Sequence, residues 1–99
     1  MKNILLVCAG GMSTSMLAEK IRAAATARGL EVKVWAVGEQ AAADNVGEAD
    51  VLLVGPQMSF KVPQFQKEFP DTPVAAIDMR AYGMMDGAAV LDAALKLIG

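Results

Sequence analysis

Histidine is absent from this chain, and cysteine occurs once, as Cys8. Without histidine there is no imidazole ligand for a metal, no Cys–His catalytic pair and no histidine to carry a phosphoryl group. A single cysteine excludes a disulfide within the chain and every CxxC motif, whether for dithiol chemistry or for zinc. We therefore expect no metal and no cofactor, and covalent chemistry on a thiol depends on Cys8 alone.

Basic clusters, aromatic side chains and long apolar runs are also scarce. The net charge is −2, and the aromatic residues make up 5% of the chain without being interleaved with a basic run. A nucleic-acid partner is therefore not expected. No apolar run approaches the roughly 20 residues of a membrane-spanning helix, and the chain begins in a predicted strand rather than in a signal peptide. These features predict a cytoplasmic protein with no direct membrane insertion.

The remaining composition is that of a small globular domain. Hydrophobic residues form 55% of the 99 residues, enough for one core, so we predict a single domain over residues 1–99. Apolar runs alternate with segments of helical periodicity. The alternating pattern of the second run indicates an edge strand. The four runs predict strands at residues 3–7, 30–37, 50–54 and 74–77.

Four helices are predicted between and after these strands. Pro63 falls inside the third of them, so that helix either begins close to Pro63 or is kinked there. Asp86 is a suitable N-cap for the last helix, whereas residues 78–85 have no helical period and are predicted to form a loop. The predicted helices cover residues 13–28, 39–47 and 58–69 and a final segment that follows Asp86.

Strands that alternate with helices of this length form right-handed βαβ units and a parallel sheet. We predict a single-domain three-layer α/β sandwich, with a four-stranded parallel sheet of order 2-1-3-4 and a flavodoxin-like or low-molecular-weight-phosphatase-like topology. In that order the chain reverses direction between strands one and three, where open parallel sheets bind their ligands. Cys8 ends strand one and residues 55–57 follow strand three, so both are predicted to lie at this crevice.

The segment CAGGMSTS (residues 8–15) joins the first strand to the first helix. Glycine lets the backbone approach a ligand closely, and the amides and dipole of a helix N-terminus favour an anion. The pattern predicts a nucleophile, Cys8, beside a phosphate cradle, against the alternative of a buried cysteine before an ordinarily capped helix. Gln57 and Tyr82 are expected at the rim of the site. The candidate phosphate-binding residues are Ala9, Gly10, Gly11, Met12, Ser13, Thr14 and Ser15.

Several phosphate-binding chemistries can be separated by motif. The GxGxxG and GxxxxGK[ST] patterns do not follow the first strand. Low-molecular-weight phosphatases and arsenate reductases place an arginine six positions after their cysteine, and this chain has Thr14 there, so the bidentate phosphate clamp is missing. Asp78 and Asp71 are only weak candidates for the leaving-group acid. A phosphatase-like or arsenate-reductase-like enzyme that uses Cys8 remains the alternative.

Three segments resemble one family, the enzyme IIB component of the lactose/cellobiose/chitobiose class of the sugar phosphotransferase system (PTS). They are CAGGMSTS (residues 8–15), LVGPQ (residues 53–57) and YGMMDG (residues 82–87). The resemblance implies a phosphotransferase subunit with a phosphocysteine intermediate. Its cysteine, at the position of Cys8, accepts a phosphoryl group from a phosphohistidine of the IIA protein. The group then passes to a sugar, a β-disaccharide such as cellobiose, chitobiose or lactose, bound by the membrane component IIC.

Methionine is concentrated in the segments that follow strands one, three and four. A rim of apolar side chains around the thiol would suit docking to two partners in turn. We expect Met16 and one of Met84 and Met85 to point into the core. The exposed rim is predicted to contain Met12, Met58, Phe60 and the other member of that pair.

Overall fold

Four parallel strands form a sheet in the computed structural model of the chain, which describes residues 1–9 and 12–99 and the side chains of residues 1–9 and 14–99. Their spatial order is β2-β1-β3-β4, and each neighbouring pair is parallel. The predicted order and the edge position of the second strand are confirmed. The strands are β1 (Lys2–Cys8), β2 (Val32–Gly38), β3 (Val51–Val54) and β4 (Val74–Ala76).

Helices cover both faces of this sheet and make three layers. Successive residues of a strand point to opposite faces, and accordingly Ile4 and Leu6 belong to one core cluster while Leu5 and Val7 belong to the other. Because both faces are covered, β1 and β3 are apolar without alternation. The first face carries α1 (Met12–Ala27), α4 (Met79–Gly83) and α5 (Gly87–Ile98), and the second carries α2 (Ala42–Asn45) and α3 (Val62–Glu68).

The helix predicted at residues 58–69 is two elements. A 3-10 helix covers Pro56–Lys61, and α3 follows it with Pro63 in its first turn, where the missing N–H of proline has no intrahelical partner to lose. The first of the two alternatives for Pro63 is thus confirmed. The prediction at residues 39–47 is also modified, since α2 lies between two 3-10 turns, Glu39–Ala41 and Val46–Glu48.

The prediction of a loop at residues 78–85 is wrong, because these residues include α4. The carboxylate of Asp78 accepts a hydrogen bond from the backbone N–H of Ala81 at 3.0 Å and caps this helix. Asp86 caps α5 in the same way through the N–H of Ala89, at 3.1 Å, as predicted. Between the two helices Met85 has a φ of 53°, the left-handed conformation that reverses the chain.

The helices α1 and α5 are in close contact at Gly87. A Cβ at this position would lie 2.4 Å from the backbone C and O of Lys20 and 2.7 Å from the N of Ile21. Toward the other end of α1, Arg28 pairs with Asp92 at 2.6 Å. The hydrogen bond from Arg28 lowers the pKa of Asp92 and raises that of Arg28, but both groups are exposed and such pairs contribute little. The position of α1 against α5 is therefore set by this close backbone approach and by their shared apolar core rather than by the ion pair.

Candidate functional site

Cys8 is the last residue of β1, at the edge of the sheet where the carboxyl ends of the strands meet. Its side chain is 4% exposed. On one side it pairs with Gly38 of β2, and on the other the N–H of Gly55 donates to the carbonyl of Val7 at 2.8 Å. The thiol thus lies between β2 and β3, at the point where the chain reverses its direction across the sheet, as predicted.

The segment after Cys8 is described only in part. Gly10 and Gly11, and the side chains of Met12 and Ser13, lie outside the described residues, so the expectations for them stay predictions. Ala9 and Ser15 are exposed. Because α1 begins at Met12, its N-terminal N–H groups, which have no intrahelical acceptors, lie close in the chain to the thiol.

Thr14 differs from the other hydroxyl residues of this segment. Its side chain is fully buried, and Oγ1 has no hydrogen-bond partner among the described residues. An unsatisfied buried hydroxyl costs about 1–3 kcal/mol, and a hydrogen bond to a ligand oxygen would remove that cost. Thr14 is therefore the candidate phosphate ligand with the most specific structural support.

Gly55 brings a second segment against Cys8. Gly55 is buried, and a Cβ on it would lie 3.3 Å from the Cβ of Cys8 and 3.3 Å from Oε1 of Gln57. Gln57 itself is exposed. Gln57 and Cys8 therefore lie close together, as predicted, while the role of Gln57 at the site stays a prediction.

Comparison with known proteins identifies the family. The profile of the family "PTS system, Lactose/Cellobiose specific IIB subunit" matches residues 3–93. The chain belongs to this family. It is 46% identical over 100 residues to the oligo-beta-mannoside-specific EIIB component of Bacillus subtilis (strain 168), covering 99% of this chain and 97% of that protein. PTS IIB components are phosphotransferase subunits that work with IIA and IIC components.

Solved structures agree with this assignment. The solution structure of the cellobiose-specific IIB component from Borrelia burgdorferi is 34% identical, with a TM-score of 0.81 and coverage of 98% of this chain and 91% of that one. The lactose-specific IIB domain from Streptococcus pneumoniae, at 20% identity, shares the fold with a TM-score of 0.85 over 97% of this chain and 96% of that one. The described residues of this chain contain no helix that is long and apolar enough to cross a membrane.

The two candidate leaving-group acids are poorly placed in this PTS IIB chain. The carboxylate of Asp78 accepts a hydrogen bond from the backbone as the cap of α4. Asp71 precedes β4, and in a parallel sheet the residues before a strand lie at the edge opposite to the one that holds Cys8. Neither carboxylate is arranged as an acid beside the thiol. This weakens the alternative that the chain is a phosphatase-like enzyme.

Tyr82 lies in α4, as part of the segment that resembles the PTS IIB family. Its side chain is half-buried and packs against the core cluster between the sheet and helices α1 and α5. Packing against the core is a sufficient structural reason for a tyrosine at this position. The expected place of Tyr82 at the rim of the site therefore stays a prediction.

Side-chain burial changes the membership of the apolar rim that is expected around the thiol. Met58 is 4% exposed and belongs to the core, so its place in the rim was wrong. Met16 is 55% exposed, so its expected place in the core was also wrong. Met85 packs against the core, whereas the side chain of Met12 lies outside the described residues. The exposed apolar side chains of these segments, here called the methionine rim, are Met16, Phe60, Met79 and Met84, and their position around the thiol stays a prediction.

Replacement of Phe60 by alanine should weaken partner binding without loss of stability. The side chain is 73% exposed, so we expect a loss of about 1–2 kcal/mol in affinity for the IIA protein and a melting temperature close to that of the wild type. The matched control is Met58→Ala, two residues away and buried, which should lower the free energy of unfolding by about 2–5 kcal/mol. Unchanged affinity in the Phe60 variant would show that the rim is not a docking surface.

Proposed function

We propose that Cys8 of this PTS IIB component accepts a phosphoryl group from a phosphohistidine of the IIA protein and passes it to a sugar bound by the membrane component IIC. The observation that carries the proposal is the position of the sole thiol, at the end of β1 and just before the N-terminus of α1. A β-disaccharide such as cellobiose, chitobiose or lactose is the proposed class of sugar. We expect the protein to act in the cytoplasm and to meet the membrane through IIC.

The first step forms an S–P bond. The thiolate of Cys8 attacks phosphorus, the N–P bond breaks, and its electron pair stays on the departing imidazole nitrogen, which takes up the proton that the thiol has lost. In the second step a sugar hydroxyl oxygen attacks the same phosphorus. The S–P electron pair returns to Cys8 Sγ, which is reprotonated by the proton from the sugar hydroxyl. The thiol is therefore regenerated, as a carrier requires.

Positioning and charge stabilisation are what this transfer needs most from the protein. We expect the backbone N–H groups of residues 9–15 to surround the phosphoryl oxygens. No residue in that segment carries a charge. The absence of an arginine clamp suits a carrier, because a relay has to release its phosphoryl group to an acceptor rather than hold it for hydrolysis.

Incubation with the general PTS proteins, phosphoenolpyruvate and the IIA protein, followed by mass spectrometry, tests the proposal. We expect one phosphate, located on Cys8, and its loss when a IIC membrane preparation and sugar are added. The isolated chain should turn over aryl phosphates negligibly, since Thr14 stands where a phosphatase has arginine and neither Asp71 nor Asp78 is arranged as an acid beside the thiol. Rapid multiple-turnover hydrolysis without phosphorylation by IIA would establish the phosphatase reading instead.

The buried hydroxyl of Thr14 gives a separate prediction. Valine has nearly the shape of threonine but no hydroxyl, so Thr14→Val should leave the unphosphorylated protein as stable as the wild type or about 1 kcal/mol more stable. The same variant should transfer phosphate about tenfold more slowly, because a donor to the phosphoryl oxygens is lost. Thermal melts and the transfer rate from IIA measure the two effects. A clear loss of stability in the variant would mean that the hydroxyl has a structural partner in the resting protein.

A further inference from the structure

We infer that Gln57 is a second phosphoryl-contacting residue, whose carboxamide N–H donates to an oxygen of the phosphoryl group on Cys8 Sγ. The inference rests on the proposed function, and it adds a donor on the side of the site formed by the segment after β3. It assigns a role to part of the LVGPQ segment (residues 53–57) that the phosphate loop does not explain.

The segment that follows β3 is firmly joined to the end of β1. Val7 pairs with Val54 in the β1–β3 ladder, and the N–H of Gly55 continues that ladder by donating to the carbonyl of Val7 at 2.8 Å. The residue that follows β3 is therefore in register with the residue that precedes the nucleophile. Gln57 is two positions further along this fixed backbone.

Limited space, rather than backbone conformation, explains the glycine at position 55. Its φ of −56° and ψ of 147° are open to every L-residue, so conformation does not require glycine there. The limited space requires glycine, because Cβ of Cys8 and Oε1 of Gln57 both lie 3.3 Å from the point that a Cβ would occupy. That distance is shorter than an ordinary carbon–carbon contact. The missing Cβ allows the carboxamide and the base of the thiol side chain to approach the same point from two sides.

The backbone around Gln57 is fixed, whereas its side chain is available to a ligand. Pro56 precedes Gln57, the N–H of Met58 donates to the carbonyl of Gly55 at 2.9 Å, and the Met58 side chain is buried. Gln57 itself is exposed, and among the described residues its carboxamide has no hydrogen-bond partner. The backbone at Gln57 is thus fixed, and its carboxamide, whose Oε1 lies 3.3 Å from the point that also lies 3.3 Å from Cβ of Cys8, is available to a ligand.

The chemistry of a carboxamide suits a carrier. A carboxamide offers the phosphoryl oxygen a hydrogen bond from an uncharged donor, whereas an arginine would make a bidentate ion pair with the group. It can orient a phosphoryl oxygen opposite the α1 N-terminus without holding the group against release. The residue donates a hydrogen bond only, so no proton is transferred to or from Gln57 in either step.

Steady-state transfer from phosphorylated IIA to Gln57→Glu and Gln57→Ala, with Gln64→Glu as the control, tests this role. Gln64 is an exposed glutamine of α3, so the control makes the same charge change away from Cys8. We expect kcat to fall about tenfold in Gln57→Ala and further in Gln57→Glu, which has no amide donor and repels the phosphoryl group, with KM for IIA within about twofold of wild type. Gln64→Glu should behave like the wild type.

A second readout does not depend on a variant. In the wild-type protein phosphorylated through IIA and then separated from it, the side-chain amide resonances of Gln57 should shift relative to the unphosphorylated protein, while those of Gln64 stay in place. Unchanged Gln57 resonances, unchanged kcat in both variants, or a raised KM with normal kcat would each overturn the inference. The last result would mean that Gln57 contacts the surface of IIA. A wild-type protein that takes up no phosphate from IIA would instead overturn the proposed function, and the inference would fall with it.

Discussion

Cys8→Ser should abolish phosphoryl transfer from IIA, with a rate lowered at least about a thousandfold, while the protein stays folded. A serine hydroxyl has no appreciable ionised population near neutral pH and is a far weaker nucleophile than a thiolate. The substitution changes one atom of a side chain that is 4% exposed at the end of β1. The cost of burying the hydroxyl is about 1 kcal/mol, which lowers the melting temperature by no more than about 8 °C.

The measurement is the rate of phosphate incorporation by mass spectrometry, together with a thermal melt of each protein. Cys8→Ala is the matching variant, because it removes the nucleophile without introducing a hydroxyl. Both variants should still bind IIA, since neither alters the exposed side chains of Phe60 and Met84. If either variant relays phosphate to sugar at the wild-type rate, Cys8 is not the phosphoryl acceptor.

Gly87→Ala should be the most destabilising single-methyl change in the described part of the protein. The added Cβ would lie 2.4 Å from the backbone C and O of Lys20, and backbone atoms of a helix cannot turn aside as a flexible side chain can. Helices α1 and α5 have to separate, so we expect a loss of about 3 kcal/mol and a fall in melting temperature of more than about 10 °C.

Gly83→Ala is the control for this effect. Gly83 also lies in a helix, α4, but a Cβ there would have no atom within 4 Å, so the control should melt at or slightly above the wild-type temperature. Phosphoryl transfer by Gly87→Ala, measured well below its melting temperature, should also be slower, because α1 carries the N-terminus that faces the site. A Gly87 variant as stable as Gly83→Ala would show that the two helices can separate at little cost.

The amino-acid sequence by itself determined the sheet and the place of Cys8. The apolar runs of β1 and β3 and the helical period of α1 are local patterns, and connection rules for parallel strands leave few ways to join them. Cys8 at the end of β1 follows from these alone. The resemblance carried by residues 8–15, 53–57 and 82–87 led to the same family as the comparisons.

Tertiary structure alone decided the short elements and the close contacts. Helix α4 has too few residues to show a period, and its Asp78 cap and the burial of Ala81 hold it in place. Met58 was predicted in the exposed rim because it follows strand three, whereas its side chain is buried and its φ of −117° interrupts the helical course.

The same holds for the two glycines, Gly55 and Gly87, that matter most to the site. In the sequence each is indistinguishable from a turn residue or a helix terminus. Their role depends on which atoms of Cys8, Gln57 and Lys20 come within reach. Such contacts join residues distant along the chain, so a pattern that is local in sequence does not contain them, and only the packed fold brings the atoms together.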